Sequence, residues 1–461
     1  MPVNIGEVLA RALGSLVVTE PDALEPYGRD ESSCGSYPPE AVVRPETPEE
    51  IRITLRLCAE HRVPVTPRGA GTGKSGGALP IHGGVVLSTE KMQKIYEIDE
   101  RNRLAVVEPG VITGTLQAQV ERAGLFYPPD PASLESCSLG GNVAENAGGP
   151  RAYRYGVTRE YVLGLEVALL GGDRLVLGRR SPKGVSGYDL TALVVGSEGT
   201  LAVVDRITLR LLPRPPRTVS AIAAFTSLAD AGRAVLALGR AGIQPSILEL
   251  MDRASVDHVR QGSAYRFPDD AGAVLLVEVD GDAERVEAEI ARCAEACEAA
   301  GASDVRLAMD EAQRKRLWDA RRRVSEALEA AHEHKTSDDI AVPVGEMPEM
   351  VERMGEIGER HQLLTAVFGH AGDGNLHVNL LSDDPDPEEV QARFRAARVD
   401  LFHAALHLGG TLSGEHGIGL SKRDYMILEH APQELEMMRA IKRLWDPLGL
   451  LNPGKLLPEP F

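Results

Sequence analysis

Apolar and polar positions change their rhythm once along the chain. Through residue 215 the apolar runs are short and lie between Gly- and Pro-rich turns. They predict strands at Val63–Val65, Gly84–Ser88, Leu104–Glu108, Leu163–Leu170 and Leu193–Val195. Helices are predicted at Glu49–Arg62, opened by Thr47-Pro48, and at Val111–Ala123. The stretch Leu211–Thr218, "LLPRPPRT", ends this pattern. Beyond it, strands at Val219–Phe225, Ser246–Leu250, Val274–Asp280, Val305–Ala308, Leu363–Phe368 and Leu376–Leu381 alternate with longer helices. These helices span Ser227–Ala241, Asp282–Ala300, Asp310–His332, Glu346–His361, Pro387–Leu408 and Pro432–Trp445. The fold class that follows is α+β, with a second-half antiparallel sheet covered by helices on one face. The expected domains are 1–215, 216–420 and a C-terminal segment, 421–461, returning to the first domain.

Bulk properties narrow the function classes. A length of 461 residues exceeds one ordinary core. With 43% hydrophobic and 26% charged residues, the chain reads as an ordinary soluble globular protein. Its net charge of −18 repels a phosphate backbone and argues against nucleic acid, while a locally basic site could still take a small anion. The N-terminus shows no basic start followed by an apolar run, and no window holds 18 uninterrupted apolar residues. Neither a signal peptide nor a spanning helix is expected, which suits a cytoplasmic protein or one peripheral to the inner face of a membrane. Five scattered cysteines (Cys34, Cys58, Cys137, Cys293, Cys297) suit a reducing compartment and form no C-x-x-C cluster for iron–sulfur ligation.

The run Arg68–Gly77, "RGAGTGKSGG", matches two nucleotide-binding patterns in part. A Walker A loop needs glycine where Arg68 stands, and a Rossmann loop needs a helix directly after it. Pro80, Gly83 and Gly84 follow instead, then a strand-like Val-Val-Leu, so neither namesake fits. Closely spaced backbone N–H groups still suit an anion-binding nest, with a plain surface loop as the alternative. Two further glycine clusters, Tyr127–Gly149 and Val194–Val204, suggest three Gly-rich turns packed on one extended ligand.

Together with "RYGVTREYVLGLEV" (154–167) and "GSEGTL" (196–201), these motifs resemble the FAD-binding domain of the vanillyl-alcohol oxidase / p-cresol methylhydroxylase superfamily over 38–215. The resemblance implies FAD contacts at Arg68, Gly69, Ala70, Gly71, Thr72, Gly73, Gly76, Gly77, Asp130, Ser133, Gly141, Asn142, Glu198 and Gly199. Covalent members carry His in the first loop; Thr72 stands here, which implies non-covalent FAD. Glu145 departs from the small polar residue common in relatives, and Lys74 has no assigned role.

A second constellation lies in "FGHAGDGNLHVNLL", Phe368–Leu381. Ala371–Gly374 is a predicted turn, so His370 and His377 can meet on adjoining strands, and His377 shares a face with Asn379. "SGEHGIG" later supplies Glu415 and His416. Two His and a carboxylate suit Zn²⁺ or a similar ion, although such turns are more often structural. Residues 219–461 resemble the substrate domain of FAD-linked D-2-hydroxy-acid dehydrogenases. That resemblance implies metal ligands His370, His377 and Glu415, a divalent metal such as zinc, and His416 as base. It further implies substrate contacts at Arg321, Ser325, Lys335, Asn379 and His416, with Arg321 holding the carboxylate.

The implied reaction is oxidation of glycolate, D-lactate or D-2-hydroxyglutarate by hydride transfer to flavin N5. Electrons would leave to an external acceptor: a quinone, an electron-transfer flavoprotein or an iron–sulfur subunit. A homodimer or hetero-complex stays open. The alternatives are the FAD subunit of a glycolate oxidase complex and an alkyl-dihydroxyacetone-phosphate synthase-like enzyme; in the latter, extra His stands where Gly414-Glu415 occurs here.

Overall fold

The computed structural model describes residues 4–459 and divides them into two compact units. The first comprises the chain up to Gly148, Gly156–Arg214 and the C-terminal segment from Glu415; the second comprises Gly149–Tyr155 and Pro215–Gly414.

The first unit holds two main sheets. Strands β1 (Val17–Val18), β2 (Ala41–Val43), β3 (Val65–Arg68) and β4 (Val85–Ser88) form one, in the order β1-β2-β4-β3. β5 (Ile95–Asp99), β6 (Leu104–Val107), β7 (Val162–Ala168), β8 (Arg174–Gly178) and β9 (Val203–Arg210) form the other, in the antiparallel order β5-β6-β9-β7-β8. Helix α1 (Pro48–His61) begins as the Thr47-Pro48 signal requires: Thr47 and Glu50 complete a reciprocal capping box. Ile51, Leu55 and Cys58 of α1 then pack with Val43, Val65, Val85 and Leu87. The C-terminal segment joins this sheet edge. Val65 N–H donates to Leu450 O at 2.8 Å, and Asn452 N–H donates to Val65 O at 2.7 Å.

The second unit is one antiparallel sheet of seven strands. These are β10 (Arg217–Phe225), β11 (Ile247–Asp252), β12 (Ala273–Gly281), β13 (Asp304–Ala308), β14 (His334–Ala341), β15 (Leu364–His370) and β16 (Asn375–Ser382), in the order β13-β10-β12-β11-β15-β16-β14. Buried Ile222, Met251, Val274, Leu276 and Phe368 of the sheet pack against Val256, Leu317, Val324 and Leu328 of the covering helices. Cys293 and Cys297 are buried, and burial pushes both thiols up to about 12.

Four expectations need correction. Leu193–Val195 is not a strand; residues Leu190–Val194 form a helix capped by Asp189, whose carboxylate accepts from Ala192 N–H. The glycine cluster Tyr127–Gly149 is not wholly a turn, because Ser138 caps a helix within it, α2 (Leu139–Glu145). The single helix predicted for Asp310–His332 is two, α6 (Glu311–Arg322) and α7 (Val324–Ala331), separated at Arg323. β14 was not predicted: its polar sequence, "HKTSDDIA", hides a strand that pairs with β16 over eight register positions, His334↔Ser382 through Ala341↔Asn375.

Gly374 is essential to the β15–β16 turn. It has φ +80°, and an added Cβ would lie 1.9 Å from Val342 O. Gly374→Ala is expected to lower stability by about 1–3 kcal/mol, read as a fall in the urea midpoint.

Candidate active site

In the first unit the glycine loop is held by close backbone contacts. A Cβ on Gly69 would meet Ser138 Oγ at 2.4 Å and Gly141 at 3.3 Å, so the loop packs against the start of α2. Gly71, φ +76°, turns directly over the Arg68 side chain. Arg68 lies over the Tyr27 ring, 5.9 Å from its centroid. Space beside Gly73 is open, and Thr72 is half-buried. Lys74 has a plain role: it pairs with Glu31 at 2.6 Å, both side chains about half exposed.

Glu198 and Gly199 sit in left-handed turns, φ +52° and +67°. The Glu198 carboxylate accepts from Ile418 N–H at 2.8 Å and Gly419 N–H at 2.7 Å. Ser75 O accepts from Leu420 N–H at 2.8 Å and Ser421 N–H at 3.0 Å. The segment after His416 is therefore fixed by its backbone to two of the glycine-rich loops. Asn142 donates to Thr113 Oγ1 at 2.7 Å, and Ser133 closes the turn before Cys137 through its carbonyl. Asp130 and Ser133 are half-buried on the segment leading to α2. Burial, then the neighbouring Glu198 charge, holds the Glu145 carboxyl well above the usual range.

In the second unit the two histidines meet as the turn implied. In the β15–β16 register Phe368 faces His377, and His370 lies two residues on from Phe368 on the same face. The imidazole centroids are 5.2 Å apart at 87°. Two residues that sequence reasoning missed complete this face. Glu249 on β11 is the register partner of His370 and hydrogen-bonds its Nδ1. Asp339 on β14 is the register partner of His377 and is fully buried. Glu249 had a legible signal. A carboxylate between Leu248 and Leu250 in an apolar strand must be paired once buried.

Arg321 does not stand free to the solvent. Its Nε donates to Glu249 Oε2 at 2.7 Å, and its guanidinium lies 4.5 Å above the Phe368 ring. Burial raises the Glu249 pKa, but His370 and Arg321 outweigh it and hold the carboxyl below its ordinary value. Glu249 thus ties the predicted carboxylate-binding arginine to a predicted metal ligand. The helix breaks at Arg323, between Arg321 and Ser325, and Ser325 Oγ accepts from Lys335 Nζ at 2.8 Å. Asn379 donates to Ala366 O at 3.1 Å, while its Oδ1 is buried without a hydrogen-bond partner among the described residues.

Glu415 and His416 open the C-terminal segment of the first unit. Their side chains lie 4.0 Å apart. The chain just before them is anchored on the seven-stranded sheet: Thr411 bridges Ala341, and Ser413 Oγ donates to Asp339 at 3.2 Å.

Comparison with known proteins places these features in a family. Residues 214–456 match the family of FAD linked oxidases, C-terminal domain, and residues 39–178 match an FAD binding domain. The glycolate oxidase subunit GlcD of Bacillus subtilis is 40% identical over 430 residues, 93% of this chain and 91% of that protein. The D-2-hydroxyglutarate dehydrogenase of Stutzerimonas stutzeri is 35% identical over 461 residues, 99% of each. Among solved structures, substrate-bound p-cresol methylhydroxylase superposes with a TM-score of 0.80 at 19% identity, covering 99% of this chain and 97% of that one, which shows a shared fold. Among the described residues no helix is long and apolar enough to cross a membrane. A glycine-lined loop set in one unit and a buried histidine–carboxylate face in the other are thus the two halves of one protein class: the chain belongs to the FAD-linked oxidases and is an FAD-dependent oxidoreductase.

Proposed function

We propose that this protein oxidises a D-2-hydroxy acid (glycolate, D-lactate or D-2-hydroxyglutarate) to the 2-oxo acid. The observation that carries this reading is the Glu249 carboxylate joining His370 to Arg321. Nδ1 of His370 is engaged by Glu249, and a carboxylate on one ring nitrogen is the support that metal-ligating histidines show. His377 lies on the same face, and Glu415 follows directly on Gly414, which is packed on Asn375. These donors fit a divalent metal such as zinc. When bound, that metal would supply the positive charge that acidifies an α-hydroxyl. FAD, held without a covalent bond, would supply the two-electron acceptor.

The chain's own groups do the rest. His416 takes the hydroxyl proton. Arg321 holds the substrate carboxylate from its position over Phe368, and Lys335 adds a second cation at Ser325. Asn379 offers an unspent buried oxygen to the substrate. The backbone of residues 69–77 supplies the closely spaced N–H groups suited to a pyrophosphate. Two relatives are described as subunits of glycolate oxidase, which supports an external electron acceptor in a larger assembly. That assembly is the second reading.

The test is anaerobic bleaching of the flavin by a panel of D- and L-2-hydroxy acids, with and without chelator. Bleaching by glycolate or by a D-acid, lost on chelation, is expected. A flavin left oxidised by every acid would refute the proposal.

A further inference from the structure

A second histidine pair lies outside the face just described. His258 is in the last turn of α4 (Arg253–Arg260), and His332 caps α7. Their Nε2 atoms stand 3.1 Å apart, with ring centroids at 5.2 Å. Each ring is oriented through its other nitrogen. Nδ1 of His258 is 2.7 Å from Ala254 O. Nδ1 of His332 is 3.0 and 3.1 Å from the two carboxylate oxygens of Asp383, and Glu333 N–H fixes that carboxylate at 3.1 Å.

A carbonyl and a carboxylate only accept, so both Nδ1 atoms carry hydrogen. In two neutral rings this leaves both Nε2 lone pairs aimed at each other. Such a contact is repulsive unless a positive species lies between them: a proton, or an ion bonded to both. Two tetrahedral Zn–N bonds of ordinary length place their nitrogens about 3.3 Å apart, within a few tenths of the spacing seen. Nδ1 held by a carboxylate or a backbone carbonyl is also the supporting arrangement that metal-ligating histidines show. The His332 side chain is 9% exposed and Asp383 54%, so the ligands are sheltered while one side opens to solvent.

We propose that His258 and His332 form a two-histidine site for a divalent transition ion of the zinc type, with Asp383 as the positioning carboxylate and water completing the coordination. The ion clips the end of α4 to the end of α7, residues 74 positions apart in the chain. Nothing in this site depends on His370, His377 or Glu415.

The FAD-loaded protein is dialysed against buffered Zn²⁺ and the bound metal counted. Wild type is expected to hold one more ion per chain than His258→Gln or His332→Gln, with flavin content and turnover unchanged in both. Asp383→Asn is expected to weaken that ion's binding by about ten- to a hundredfold. Equal metal counts in wild type and both variants would overturn the proposal and assign the contact to a shared proton. A second measurement needs no variant. Zn²⁺ should protect His258 and His332 of wild type from diethylpyrocarbonate, read by peptide mass spectrometry; unchanged modification of both would likewise overturn it.

Discussion

His416→Ala is expected to slow anaerobic flavin reduction by a D-2-hydroxy acid by about 10²–10⁴-fold, with FAD still bound. The magnitude is that of removing a positioned general base. Selectivity comes from how the loop is held. Its anchors are backbone N–H groups of Ile418, Gly419, Leu420 and Ser421, received by Glu198 and by the Ser75 carbonyl. None of them uses the imidazole, so truncation should leave the loop in place. Stopped-flow absorbance measures the rate, and the flavin-to-protein ratio measures retention. A wild-type rate in the variant would move the base elsewhere. Loss of FAD would make His416 a structural residue.

Glu249→Gln is expected to have the larger effect on stability. The carboxylate is 1% exposed and serves two groups at once, the Arg321 guanidinium and the His370 imidazole. Gln keeps the shape but removes the charge, leaving a sheltered guanidinium without its counter-ion. Breaking a buried pair in this way costs about 3–5 kcal/mol, which urea unfolding reads directly. The same change loosens the orientation of His370. If His370 ligates a metal, affinity should fall by about ten- to a hundredfold, read as metal content after dialysis. A variant as stable as wild type with full metal content would show that Glu249 does neither job.

Much of the architecture was legible along the chain because it rests on local signals. The cap at Thr47, the alternating strands of the second half and the turn at Ala371–Gly374 all follow from short-range pattern. Helix α2 was not, since two glycines near its start weigh against it; Ser138 at its N-cap and the packing of Gly69 onto it decide the matter. The break at Arg323 was hidden for the opposite reason, because every residue around it is a tolerable helix former. β14 was invisible because its inward residues are polar. Asp338 and Asp339 are buried, the first paired with Arg398 at 2.8 Å.

The sequence by itself determined the class of fold, the glycine loops and the spacing that allows His370 to meet His377. These depend on neighbours a few positions apart, where φ/ψ freedom and side-chain period suffice. Only the tertiary structure decided which charge serves which. Glu249 and Arg321 are 72 positions apart, and Glu249 and His370 are 121 apart. No local pattern selects such partners. Register across the seven-stranded sheet selects His370, and the packing of a covering helix selects Arg321, because burial leaves the carboxylate no alternative to the partners placed against it.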